Sequence, residues 1–111
     1  MNYPAFTTYQ MKTYDHVESR SNNPIIGQIN RYLDYCANTR QMTKATMRSK
    51  YSALRSLVAD TKLKDLNDLT NDVYDRFVKE ERKRNVSART INNKASNIIA
   101  FVKYWREMGI N

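Results

Sequence analysis

The stretch that most limits what this chain can fold into is the run of 21 residues from Ala88 to Met108, which contains neither glycine nor proline. Apolar residues recur in it at steps of three and four, which places them on one face of a helix. Ser87 is suited to cap the start of this helix, and Gly109 suits the left-handed position just beyond its end. The run therefore predicts a helix of about 30 Å whose apolar face enters the core. That face comprises Ile91, Ala95, Ile98, Phe101, Val102, Trp105 and Met108.

The rest of the composition also favours helices, because two glycines and two prolines in 111 residues supply few of the tight turns of an all-β fold. The length fits one domain with a single core. Cys36 is the only cysteine, so we expect no intrachain disulfide, a buried thiol and a reducing compartment. The chain has no apolar run of membrane-spanning length and no basic-then-apolar leader, so we expect a cytoplasmic protein without a membrane partner.

Three helices are expected before the long one. Residues 1–22 show no helical period and are predicted to form a poorly ordered arm, in which the single histidine, His16, lies at the surface; residues 23–111 form the helical domain. Asn23 and Pro24 open the first helix, which runs to about Thr39, and Gly27 is expected to allow a close helix contact.

The next two helices both begin at a threonine cap. Thr43 caps a helix that runs to about Asp60, and Thr70 caps a third, which carries Val73, Phe77 and Val78 toward the core. The end of the third helix, residues 80–84, mixes both signs of charge and is predicted to be a solvated face. Asn85 then turns the chain into the last helix.

The net charge is concentrated in two segments. Residues 40–56 carry a charge of +5 and residues 87–111 carry +3, which together make up the whole excess of +8. Such a distribution is the electrostatic footprint of a protein that binds a polyanion. Each segment also begins at a capped helix start, at Thr43 and at Ser87, where free N–H groups and the helix dipole favour a phosphate.

Two stretches carry a resemblance to a known family. TRQMTKATMRSKYSALRSLV, residues 39–58, is followed by VSARTINNKASNIIAFVKYWREMGI, residues 86–110. With the Leu66-x-x-Leu69-Thr70-x-x-Val73 entry to the third helix between them, they resemble the core-binding domain that precedes the catalytic domain in tyrosine recombinases and phage integrases. One departure is Lys50, where the family often has an aromatic residue and this chain has Tyr51 one step later.

The resemblance implies an all-α fold, a four- to five-helix SAM-like bundle that forms half of a clamp around duplex DNA. In the family, the second and fourth helices present their N-terminal halves to a recombination half-site, and these are the two basic segments of this chain. The implied partners are double-stranded DNA, the C-terminal catalytic domain of the same parent protein and other recombinase protomers.

The family cuts DNA with a tyrosine, two arginines, a lysine and histidines in that separate domain. This chain has one histidine, outside a His-x-x-Arg pattern, and ends where the catalytic domain would begin. It is therefore expected to be a DNA-binding, non-enzymatic part of an integrase, without catalytic residues, metal, cofactor or small-molecule substrate.

The expected DNA-binding residues divide by chemistry. Arg89, Asn93 and Asn97 have side chains that read guanine or adenine edges, whereas the others are expected to hold phosphates or to border them. If about four phosphates are neutralised, the logarithmic salt slope is about −3.6. The remaining members of the set are Arg40, Thr43, Lys44, Thr46, Arg48, Lys50, Arg55, Ser87, Thr90, Lys94 and Lys103.

Two other functions remain open at this point. A helical SAM-like module for protein–protein interaction would keep its function after charge reversal on the two basic helices. A small RNA-binding or repressor-like protein would need single-strand recognition or a helix-turn-helix, and the gap of about thirty residues between the charged segments disfavours the short turn of the latter.

Overall fold

The computed structural model describes residues 16–17 and 23–108, and the structural statements below concern those residues. They form four α-helices and no strand: α1 (Pro24–Asp34), α2 (Lys44–Thr61), α3 (Asn71–Lys83) and α4 (Ala88–Glu107). A π-helical segment, Tyr35–Thr39, continues α1, and a 3-10 turn, Leu66–Asp68, precedes α3. The predicted all-α SAM-like bundle is confirmed. Of the expected arm, only His16 and Val17 are among the described residues. Gly109 also lies outside them.

α1 begins at Pro24 as predicted, but Asn23 makes no side-chain capping hydrogen bond. Instead, the Ile25 amide donates to the carbonyl oxygen of Lys64 at 2.8 Å, which attaches the start of α1 to the connector after α2. The close helix contact expected at Gly27 is wrong, since a Cβ atom there would meet nothing within 4 Å.

The apolar face of α4 is confirmed over most of its length, because Ile91, Ala95, Ile98, Phe101 and Trp105 are all buried. Val102 is only half-buried. Burial of Met108 was a wrong prediction: it is 56% exposed, because α4 ends at Glu107 and Met108 lies beyond the last turn that packs on the bundle.

α2 lies at the centre of the bundle and makes its most extensive contacts with α4 and then with α3. Leu54 and Leu57 of α2 are fully buried, as is Cys36 of the π-helical segment, which confirms the small core side chain expected there. Tyr32 of α1 packs edge-on against Phe101 of α4, with ring centroids 5.5 Å apart. The two basic helices are therefore fixed relative to each other by the main core.

The end of α3 corrects one prediction. Arg82, Lys83 and Arg84 are exposed, as a solvated face requires, but Glu81 is fully buried. Glu81 follows the buried Phe77 by four residues, and so its side chain lies on the same face of the helix as the core residue. The turn after α3 is as predicted, with Asn85 in the left-handed region at φ 62°, a conformation that asparagine tolerates.

Candidate nucleic-acid interface

The first halves of α2 and α4 border one open groove with a volume of about 490 Å³. Polar hydrogen-bonding groups and two basic side chains line it, and no carboxylate does. A negatively charged ligand would therefore meet no repulsion from the lining. The residues of the groove are Ala45, Arg48, Ser49 and Ser52 from α2 and Thr90, Asn93, Lys94 and Asn97 from α4.

The two helices that form the groove begin with the same local structure. The Thr43 hydroxyl oxygen accepts from the Thr46 amide at 3.2 Å and the hydroxyl donates to the Thr46 hydroxyl at 3.0 Å. Ser87 makes the same pair of bonds with Thr90, at 3.2 and 3.0 Å.

The third residue after each cap is thus a threonine rather than the glutamate of a capping box, so neither helix start carries a negative side chain. The helix α3 differs, because Asp72 lies in its first turn. The positive end of the helix dipole therefore remains uncompensated at α2 and α4.

Most of the residues expected to contact DNA are exposed, but not all of them border the groove. Arg48, Thr90 and Asn93 are exposed and line it, and Arg89 lines an adjoining depression with Asn92, Asn93 and Ser96. The other exposed members of the predicted set, which line neither depression, are Arg40, Thr43, Lys44, Thr46, Arg55, Ser87 and Lys103.

Lys94 corrects the prediction of a freely exposed basic side chain. Although it lines the groove, its ammonium donates to Glu81 Oε1 at 2.7 Å and to Ser56 Oγ at 3.0 Å, and the side chain is only 17% exposed. Lys94 thus joins α4 to both α2 and α3. Its charge is already neutralised by a fully buried carboxylate.

The same carboxylate belongs to a larger ionic cluster. Arg84 Nη2 donates to Asp60 Oδ1 at 2.7 Å and also to Glu81, while Asp60 Oδ2 is buried and accepts no hydrogen bond. Burial and the neighbouring Glu81 carboxyl raise the pKa of Asp60 to about 6. Burial alone would raise the pKa of Glu81, but the neighbouring Asp60 carboxyl, Lys94 and Arg84 together outweigh it and leave that pKa below its ordinary value. Of the two carboxyl groups, Asp60 therefore keeps its proton to the higher pH.

Lys50 also departs from its expected position. It was predicted to face solvent or a ligand, but it is only 6% exposed. Its ammonium donates to the Tyr32 hydroxyl at 2.9 Å and lies 3.5 Å from Asn97 Oδ1. Lys50, rather than the half-buried Tyr51, therefore lies on the core face of α2.

The base-reading candidates on α4 are not equivalent. Arg89 and Asn93 are exposed, whereas Asn97 is half-buried and donates through Nδ2 to the carbonyl oxygen of Asn93 at 3.2 Å. With its amide oxygen next to Lys50, Asn97 has fewer hydrogen-bonding positions left for a base edge than Asn93 has.

Sequence reasoning missed the cluster formed by Ser56, Asp60 and Glu81. A signal for Glu81 was present, because Val73, Phe77 and Glu81 follow one another at steps of four and so define a single stripe. A carboxylate on an apolar stripe is buried only with partners. Nothing local in the sequence identified Lys94 as that partner.

His16 is exposed, as predicted, and its ring nitrogen Nε2 lies 2.7 Å from Asp34 Oδ1. Within residues 16–17 and 23–108, no three metal-ligating side chains cluster together. None of the helices described is both long and apolar enough to cross a membrane.

The fold and the groove define a small helical domain with an anion-compatible face. Comparison with protein families matches residues 29–109 to the phage integrase N-terminal SAM-like domain. The match covers most of the chain, which therefore belongs to this family and confirms the resemblance seen in the sequence. The family is that of tyrosine recombinases, whose catalytic activity lies in a separate C-terminal domain. No curated protein matches the chain, and no solved structure matches it either.

Proposed function

We propose that this chain is the DNA-gripping domain of a phage-type tyrosine recombinase. It holds duplex DNA at a recombination half-site while a separate catalytic domain carries out integration and recombination. The observation that carries the proposal is the groove between α2 and α4, since the two segments that hold the net charge border one acid-free surface.

The exposed side chains suggest a division of labour along this surface. Lys44, Arg48 and the hydroxyl-capped helix starts supply contacts to phosphate oxygens, which fix the position of the domain without reading sequence. Arg89 and Asn93, exposed on the outer side of α4, are the candidates for contacts with base edges in the major groove.

Fewer cations are available for direct contacts with phosphate than the sequence suggests. Because Lys94 is paired with Glu81, its contribution to counterion release is smaller than that of an exposed lysine. Four neutralised phosphates remain compatible with the exposed basic residues and give a logarithmic salt slope of about −3.6. A fourfold rise in salt then weakens binding about 150-fold.

The test is a salt series of binding to a fluorescent duplex of about 30 base pairs. The variant to compare is Arg48→Glu/Arg89→Glu, since both residues are exposed and neither forms an ion pair with another of the described residues. Lys94→Glu is unsuitable because it would place a second carboxylate against the buried Glu81. The matched control is Lys79→Glu/Arg82→Glu, two charge reversals on the exposed side of α3.

We expect the site variant to lose affinity by at least about eightfold at 0.1 M salt, which corresponds to the phosphate contact of Arg48, with a further loss from the base contact of Arg89. The control is expected to bind like the wild type. Equal losses in both variants would mean that only net charge matters. Absence of binding by the wild-type chain at low salt would refute independent DNA binding and favour the protein-interaction module.

A further inference from the structure

Lys50 carries a charge for which the described residues provide no counter-ion. Its ammonium makes no ion pair within 4.0 Å, whereas Lys83, Arg84 and Lys94 each contact a carboxylate. Its hydrogen-bonding neighbours are the Tyr32 hydroxyl and the Asn97 amide oxygen, and the face of the Tyr32 ring lies 5.3 Å from the nitrogen. These dipoles replace part of the hydration that the ammonium loses on burial, but they supply no negative charge to balance it.

The other titratable groups around Lys50 do not supply that charge. The Cys36 thiol is fully buried and Arg40 is a second cation. Burial, together with Arg40, lowers the pKa of Lys50, while the pKa of the Cys36 thiol is raised by its burial. An apolar side chain of similar length would fill this position without the penalty of burying a charge.

The ammonium nevertheless lies close to the proposed DNA surface. Asn97, which it approaches to 3.5 Å, lines the groove, and so does Ser49, its neighbour in sequence. Lysine has four rotatable side-chain bonds, so its amine moves to a nearby anion without a change in the backbone. A phosphate above Asn97 would supply the missing opposite charge.

We propose that Lys50 is a latent phosphate ligand, buried without a counter-ion in the free domain and paired with a DNA phosphate at the Asn97 side of the groove in the complex. The inference rests on the proposed function and extends it. According to this proposal, Lys50 lowers the stability of the free domain and increases its affinity for DNA in the complex.

The proposal predicts opposite effects of one substitution. Lys50→Met approximately keeps the volume of the side chain and removes its charge. The variant is therefore expected to melt no lower than the wild type. In the complex it loses one phosphate contact, so the salt slope becomes shallower by about 0.9 and affinity at 0.1 M salt falls about eightfold. Lys79→Met, which removes an exposed charge from α3, is expected to change neither quantity.

The experiment measures thermal melting and the salt dependence of duplex binding for the wild type and both variants. Unchanged affinity and slope in Lys50→Met, with the wild type binding DNA, overturn the role of Lys50 but leave the proposed function intact. Failure of the wild type to bind overturns both.

A second measurement uses the wild-type chain alone and remains decisive if the variant does not fold. The ε-carbon resonance of Lys50 is titrated by NMR in lysine-labelled protein, without and with the duplex. Pairing with a phosphate stabilises the ammonium and raises its pKa on binding. A pKa that DNA leaves unchanged overturns the proposal.

Discussion

Replacing Asp60 with asparagine is expected to stabilise the domain at neutral pH and to have little effect in acid. In the folded chain, burial and the neighbouring Glu81 carboxyl raise the pKa of Asp60 to about 6 from 3.8. An asparagine amide resembles the protonated form of Asp60, since its oxygen accepts from Arg84 and the group carries no charge. Asp60→Asn therefore keeps this position uncharged at every pH, whereas the wild-type carboxyl group becomes charged when the pH rises.

The sign and the size follow from proton linkage. Because the folded state binds the Asp60 proton more tightly than the unfolded state, the contribution to stability is complete below about pH 4 and disappears as pH rises through about 6. A shift of about two pKa units corresponds to about 3 kcal/mol. Glu81, whose pKa is lowered, contributes stability that is lost only when the pH falls below 4.5, the ordinary pKa of a glutamate side chain. Asp60 therefore governs the interval from about pH 4 to 6.

The assay is urea unfolding of the wild type and Asp60→Asn between pH 4 and 7.5, followed by circular dichroism. We expect the two free energies of unfolding to be similar near pH 4 and the variant to be more stable by about 3 kcal/mol near pH 7.5. Asp75→Asn is the control, because it removes an exposed carboxylate from α3. A stability difference that does not change with pH, or a variant less stable at pH 7.5, would refute the raised pKa of Asp60.

Three further changes test the packing. Gly27→Ala should raise the free energy of unfolding by up to about 1 kcal/mol, because the position is helical and a Cβ meets no atom; an unchanged urea midpoint would contradict this. Lys94→Met should lower the free energy of unfolding by about 2 kcal/mol, since Glu81 loses one of its two cationic partners. Adding Glu81→Leu to the same chain should recover part of this loss. Phe101→Ala should lower the free energy of unfolding by about 3–5 kcal/mol because the ring is fully buried, and a smaller loss measured in urea would show that the core collapses around the gap.

The sequence alone determined the helices and their starts, because these depend on short-range chemistry. The hydroxyl caps at Thr43, Thr70 and Ser87 bond to amides three residues away, and the apolar stripe of α4 repeats within the helix itself. The concentration of charge in two helices was also evident from the sequence, whereas their packing brings the first halves of those helices to one groove.

Only the tertiary structure decided what the individual lysines do. Lys50 is buried because its helical face meets Tyr32, 18 residues earlier, and Asn97, 47 residues later. Lys94 is neutralised by Glu81, which a different helix supplies. The periodicity of a single helix gives the direction of each side chain. The surroundings that bury, pair or expose its charge come from elements distant in sequence, and they exist only when the helices have packed together.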